Sequence, residues 1–169
     1  SCLKDILGEF YAQLSDSVFI DQGGRGSATP ELMCLLTARL GVLSETKQGA
    51  ALDPKRVKEL TGNDEISGRH LYKSQITFKP DAKYVLLTNH LPTFDARDRA
   101  MTDRIRLVPF DARFEATPKN VAFVERFKEQ GPLDSVFRLL VQGAMAYYKN
   151  GRVVEPPQRA KTAMRDYTG

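Results

Sequence analysis

The chain has 169 residues, of which 41% are hydrophobic and 27% charged, proportions of a soluble globular protein large enough for a core of its own. No apolar run approaches the roughly 18 residues of a membrane span, and the opening "SCLKDILGEF" lacks the apolar stretch of a secretory signal. The two cysteines and two histidines are scattered, which argues against a structural zinc motif and fits a reducing, cytoplasmic setting.

The formal charge is +4, from 25 Lys and Arg against 21 Asp and Glu. That permits an anionic partner without requiring one. Arg97, Arg99, Arg104, Arg106 and Arg113 crowd one stretch, but aspartates interleave with them, as on a self-paired solvated surface.

In chain order, Leu3, Ile6, Leu7, Phe10 and Leu14 fall at helical spacing and predict a helix through "CLKDILGEFYAQL". "SVFI" is a short strand candidate. "DQGGRGSATPELM" reads as a flexible glycine-rich loop entering a helix near Pro30; it lacks the Gly-Lys-Ser/Thr ending of a phosphate-binding P-loop. Arg39–Leu43 predicts a strand that delivers Ser44, Glu45 and Thr46 to its end. "DPKRVKELTG" predicts a helix with Asp53 as N-cap, Pro54 in the first turn and Gly62 past the end. "ISGRHLYKSQITFKPDA" suits a hairpin. "KYVLLTN" is a third strand, ending on Asn89, and "RIRLVPF" a fourth, alternating Arg with aliphatic residues until Pro109.

After Phe114 the pattern turns helical. "NVAFVERFKEQG" and "PLDSVFRLLVQGAMAYYKNG" predict two helices, the second with Val136, Phe137, Leu140, Ala144 and Tyr147 or Tyr148 as its apolar stripe. "PPQRAKTAMRDY" predicts a third, with Ala160, Ala163, Met164 and Tyr167 on one face. The expected organisation is an α/β core over residues 1–114 with a mostly parallel sheet flanked by helices, then a helical region over 115–169.

In open α/β sheets, ligands bind beyond the carboxyl ends of the strands. Glu45 and Asn89 follow two of the predicted strands and Arg104 opens the next. An acid that supports Mg2+ or water, an amide that fixes the water or γ-phosphate, and an arginine that neutralises charge suit nucleotide hydrolysis. Each also has an ordinary structural reading: loop residue, turn former and aspartate partner.

Arg39–Phe110 resembles the superfamily 3 helicases, in particular the phage and plasmid primase-helicases and their poxvirus-type relatives. The resemblance rests on "RLGVLSE", "VKELTGNDEISGRHLYKSQITFKPDAKYVLLTNHLP" and "DRIRLVPF" in that order. It implies a partial AAA+-like P-loop NTPase fold, ATP and Mg2+ as cofactors, single-stranded or forked DNA as partner, and a homo-oligomer, expected as a hexameric ring. Glu45 resembles the Walker B acid, Asn89 the sensor amide and Arg104 the finger reaching a neighbouring subunit's ATP, with Arg106 as its substitute. Arg69, His70 and Lys73 resemble the B-prime hairpin, which grips the DNA backbone.

Three departures qualify the match. Ser44 stands where many NTPases have an Mg2+-associated Asp. The B-prime turn, often Gly-Gly-Asp, reads Gly62-Asn63-Asp64, which Asn63 can sustain at positive φ. No P-loop occurs in the chain, yet the family places one just before a helix like "CLKDILGEF". Two readings of Ser1 stay open: the last residue of a P-loop, where it would touch nucleotide and Mg2+, or an ordinary N-cap. On the first, the chain alone hydrolyses ATP poorly or not at all. Two other functions also stay open: a non-catalytic DNA-binding or assembly module on a helicase scaffold, and an AAA+ ATPase acting on a protein partner.

Overall fold

The computed structural model describes residues 2–21, 30–70, 72–126 and 129–169. Ser1 and the greater part of the expected glycine-rich loop lie outside the described residues. The elements run α1 (Cys2–Leu7), β1 (Tyr11–Leu14), β2 (Leu40–Ser44), α2 (Pro54–Thr61), β3 (Ile66–Gly68), β4 (Ile76–Phe78), β5 (Lys83–Leu87), α3 (Arg99–Thr102), α4 (Pro118–Arg126), α5 (Gln130–Lys149) and α6 (Gln158–Thr168), with short 3-10 turns between some of them. They form two compact units, one of Leu7–Ile105 and the other of Ser1–Ile6 with Arg106–Gly169.

The Leu7–Ile105 unit is mixed α/β. Its sheet is three-stranded and wholly parallel, in the order β1-β2-β5. The central strand β2 is covered on both faces, with Val42 at 4% and Leu43 at 2% exposure. Among the described residues β5 pairs on one side only, and its Val85 and Leu87 remain exposed. Beneath the sheet Leu14, Phe19, Leu32, Leu35, Leu60 and Met101 belong to one buried cluster.

Helix α2 begins where the sequence places it. The Asp53 carboxylate accepts from the Arg56 amide at 3.1 Å, and Pro54 fills a first-turn position that needs no amide donor. Gly62 follows the helix because a Cβ there would lie 2.5 Å from the Lys58 carbonyl oxygen. Asn63 then takes φ 65°, the left-handed conformation expected of it. The hairpin β3–β4 forms as expected, in register Ile66↔Phe78 to Gly68↔Ile76.

Three sequence expectations are corrected. The first helix does not reach Leu14: it stops at Leu7, Gly8 takes φ 53°, and Tyr11–Leu14 is strand β1. The apolar residues there satisfy period two as well as period 3.6; Ala12 and Leu14 are buried, whereas Phe10 is exposed. "SVFI" is not a strand but a 3-10 turn, Asp16–Val18, followed by a single bridge from Ile20 to Leu52. "RIRLVPF" is not a strand either. Its start continues the turn of α3, with the Arg104 and Ile105 amides donating to the Met101 carbonyl at 3.0 and 3.2 Å, and Val108 and Phe110 are exposed. The Arg-aliphatic alternation finds no partner strand among the described residues.

In the second unit the three tail helices form where expected. On α6, Ala160 is buried and Ala163, Met164 and Tyr167 are half-buried. The stripe on α5 is less covered, with Phe137, Leu140 and Tyr148 exposed. No helix among the described residues is long and apolar enough to cross a membrane.

Candidate functional site

Because β2 and β5 are parallel and adjacent, their carboxyl ends lie at one edge, with Ser44 opposite Leu87. Glu45 leaves β2 there and its amide donates to the Leu87 carbonyl at 2.8 Å. Asn89 leaves β5 two residues beyond Leu87. The sheet thus brings these two expected site residues to a common edge, and both are exposed there.

The backbone at this edge is unusual. Glu45 takes φ 62°, a region that costs an L-residue other than Gly roughly 1–2 kcal/mol. Such strain persists where surrounding bonds enforce it, and it clusters at functional positions. Here the enforcing bonds are identifiable. The Thr46 hydroxyl, in a residue only 6% exposed, lies 2.6 Å from the Thr88 hydroxyl and 2.9 Å from the His90 carbonyl oxygen. Thr88 also lies 2.9 Å from that carbonyl and accepts from the His90 amide at 3.0 Å. The loops carrying Glu45 and Asn89 are therefore tied together immediately beside both residues.

Strand β1 adds a support that the sequence did not reveal. The Gln13 amide donates to the Val42 carbonyl at 3.1 Å and to the Ser44 hydroxyl at 3.3 Å, while the Tyr11 hydroxyl donates to its carbonyl oxygen at 2.8 Å. Gln13 was hidden because its stretch reads as helix. Thr46 and Thr88 were legible only as polar residues flanking the strand ends.

Among the described residues no group of three or more His, Cys, Asp or Glu could hold a metal ion. Glu45, the expected Mg2+ ligand, supplies a single exposed carboxylate at this edge. Ser1, the other expected Mg2+ and nucleotide contact, lies outside the described residues.

Arg104 is placed differently from the expectation. It sits in the turn that closes α3, and its guanidinium donates to the Ala100 carbonyl at 2.8 Å, so it bonds its own helix rather than the strand ends. Arg106 is exposed in the irregular segment that follows. A separate cleft of about 450 Å3 is lined by Asp21, Asp53, Lys55, Arg56, Glu59 and Glu65, away from both edge residues in sequence. Its Glu59 pairs with Arg56 at 3.4 Å and Lys55 at 3.7 Å, so much of its charge is answered internally.

Arg69, His70 and Lys73 lie together in the loop joining β3 to β4, all exposed. The Lys73 amide donates to the His70 carbonyl at 3.1 Å, closing a tight turn. Below it, Ile66 is buried at 5% and Ser67 and Thr77 hydroxyls lie 2.9 Å apart, so the hairpin base is fixed.

Comparison with known proteins adds a second line. The chain is 34% identical over 122 residues to "Putative helicase L207/L206" of Acanthamoeba polyphaga mimivirus, covering 69% of this chain and 13% of that protein. It is 32% identical over 129 residues to "Putative helicase 022R" of Frog virus 3, again covering 13% of the relative. With "Primase D5" of Fowlpox virus it shares 27% over 124 residues, or 70% of this chain and 15% of the relative. The chain is related to proteins of large DNA viruses that bear helicase and primase names. The chain spans only about an eighth to a seventh of the length of these relatives. No protein-family model matches the chain.

Proposed function

We propose that the chain is part of the ATP-driven motor of a DNA helicase of the superfamily 3 type, serving replication of a viral or phage genome. The observation that carries this reading is the tied pair of loops that holds Glu45 and Asn89 at one edge of a parallel sheet. Glu45 would orient the attacking water and support Mg2+, and Asn89 would hold the water or the γ-phosphate. Mg2+ brought in with ATP would neutralise charge developing on the phosphates. Arg104, or Arg106 in its place, would reach the nucleotide of a neighbouring subunit in a ring, expected as a hexamer. Among the described residues the open edge of β5 fits the same reading, since such an edge can take a further strand. Arg69, His70 and Lys73 would contact the DNA backbone as mobile-ion-displacing cations.

The test is ATP turnover by the whole protein in which this sequence occurs, with and without single-stranded DNA. The motor reading expects turnover that rises with DNA. DNA binding without any turnover would instead indicate a scaffold module. Turnover indifferent to DNA, and to removal of charge at Arg69 and Lys73, would indicate an ATPase acting on a protein partner.

A further inference from the structure

The hairpin loop carries a residue that the phosphate-contact reading does not use. Tyr72 is 97% exposed, the highest exposure among the exposed large hydrophobic side chains of the described residues. It takes φ 60°, an uncommon backbone for a bulky residue. In sequence it lies between His70 and Lys73, whose backbones close the turn, with Arg69 at the loop's entry. Among the described residues neither the Arg69 guanidinium nor the Lys73 ammonium has an acidic partner. The tyrosine contributes little packing to the fold, whereas the hairpin base is held by Ile66 and by the close approach of Gly68 to Met33.

We propose that Tyr72 stacks on an unpaired base, so that this hairpin selects single-stranded over duplex DNA. The inference rests on the DNA-contact reading of the hairpin and adds to it a means of telling strand types apart. Cations at Arg69 and Lys73 recognise phosphate, which both forms of DNA present. An aromatic face needs a base face, which a duplex keeps stacked inside and a single strand leaves available. Stacking of this kind tolerates any sequence, because every base has such a face.

The experiment measures binding of this 169-residue chain to three labelled probes of equal length: an oligothymidylate, a duplex and an abasic strand. Tyr72→Ala should weaken oligothymidylate binding about tenfold and leave duplex and abasic binding unchanged. Tyr72→Trp should retain it. Arg69→Ala and Lys73→Ala should weaken binding to all three probes and flatten the salt dependence. Circular dichroism should be the same for every variant, since all three positions are exposed. If Tyr72→Ala binds oligothymidylate like the wild type while the charge variants lose affinity, stacking is wrong and the phosphate reading stands. If the wild type binds none of the probes, both are wrong.

Discussion

The Thr46 and Thr88 hydroxyl oxygens lie 2.6 Å apart, and this contact joins the loop after β2 to the loop after β5. Each hydroxyl has one proton, so the two of them and the His90 carbonyl cannot make all three of their mutual contacts as hydrogen bonds at once. With the His90 amide donating to Thr88, a consistent arrangement has Thr88 donating to the His90 carbonyl and Thr46 donating to either acceptor. Thr46→Val keeps the shape and removes that donor. It should lower stability by about 1–2 kcal/mol, read as a lower denaturant midpoint at unchanged slope. Thr88→Val should cost more, because it also orphans the His90 amide.

Glu45 supplies a prediction in which stability and function part. At φ 62°, replacing Glu45 by Gly relieves backbone strain and should stabilise the fold by up to about 1 kcal/mol, while turnover of the whole protein is lost. Glu45→Ala keeps the strain and should lose turnover without that gain. Melting curves of the two variants side by side provide the check.

The Lys58 ammonium donates to the Asp98 carboxylate at 2.5 Å and joins α2 to the N-cap of α3. This bond, the attraction of the Lys58 charge, and the capping amides hold the Asp98 carboxyl below its usual range against a smaller opposing effect of burial. A depressed carboxyl stabilises the fold fully above its unfolded value near 4 and loses that contribution as pH falls through the folded value. Asp98→Asn should therefore lower the denaturant midpoint at pH 7, and the gap to the wild type should close in acid below the usual carboxylate range.

Tyr84 lies against Phe19, ring centroids 5.0 Å apart, with its hydroxyl buried and without a hydrogen-bond partner among the described residues. Burial, reinforced by the neighbouring Cys34, pushes its pKa up to about 12. The raised value means stability is lost as pH rises from about 10 towards 12. Tyr84→Phe should leave stability at pH 7 unchanged or raise it by about 1 kcal/mol, and should reduce the alkaline loss. Denaturant melts at pH 7 and pH 11 read both effects.

What the sequence made legible follows from how local each signal is. The Asp53-Pro54 start and Gly62 stop of α2 are set by neighbours, and so is the left-handed Asn63; all were readable. The strands β2 and β5 announce themselves by apolar runs, and their polar ends drew attention to Glu45 and Asn89. Strand β1 was not readable, since Leu14 satisfies both helical and strand periods and only pairing with β2 decides between them. Nor was Arg104, whose alternating context suggests a strand but whose backbone follows the Asp98-capped turn. The Thr46–Thr88 tie joins residues 42 positions apart and exists only once the sheet has formed.

The most direct measurement compares ATP binding and steady-state turnover of the whole protein with those of its Glu45→Gln variant, each with single-stranded DNA present. The variant should bind ATP as the wild type does and turn it over at least about a hundredfold more slowly. Equal turnover in the two proteins would contradict this, and would leave the edge held by Glu45 and Asn89 as a structural turn.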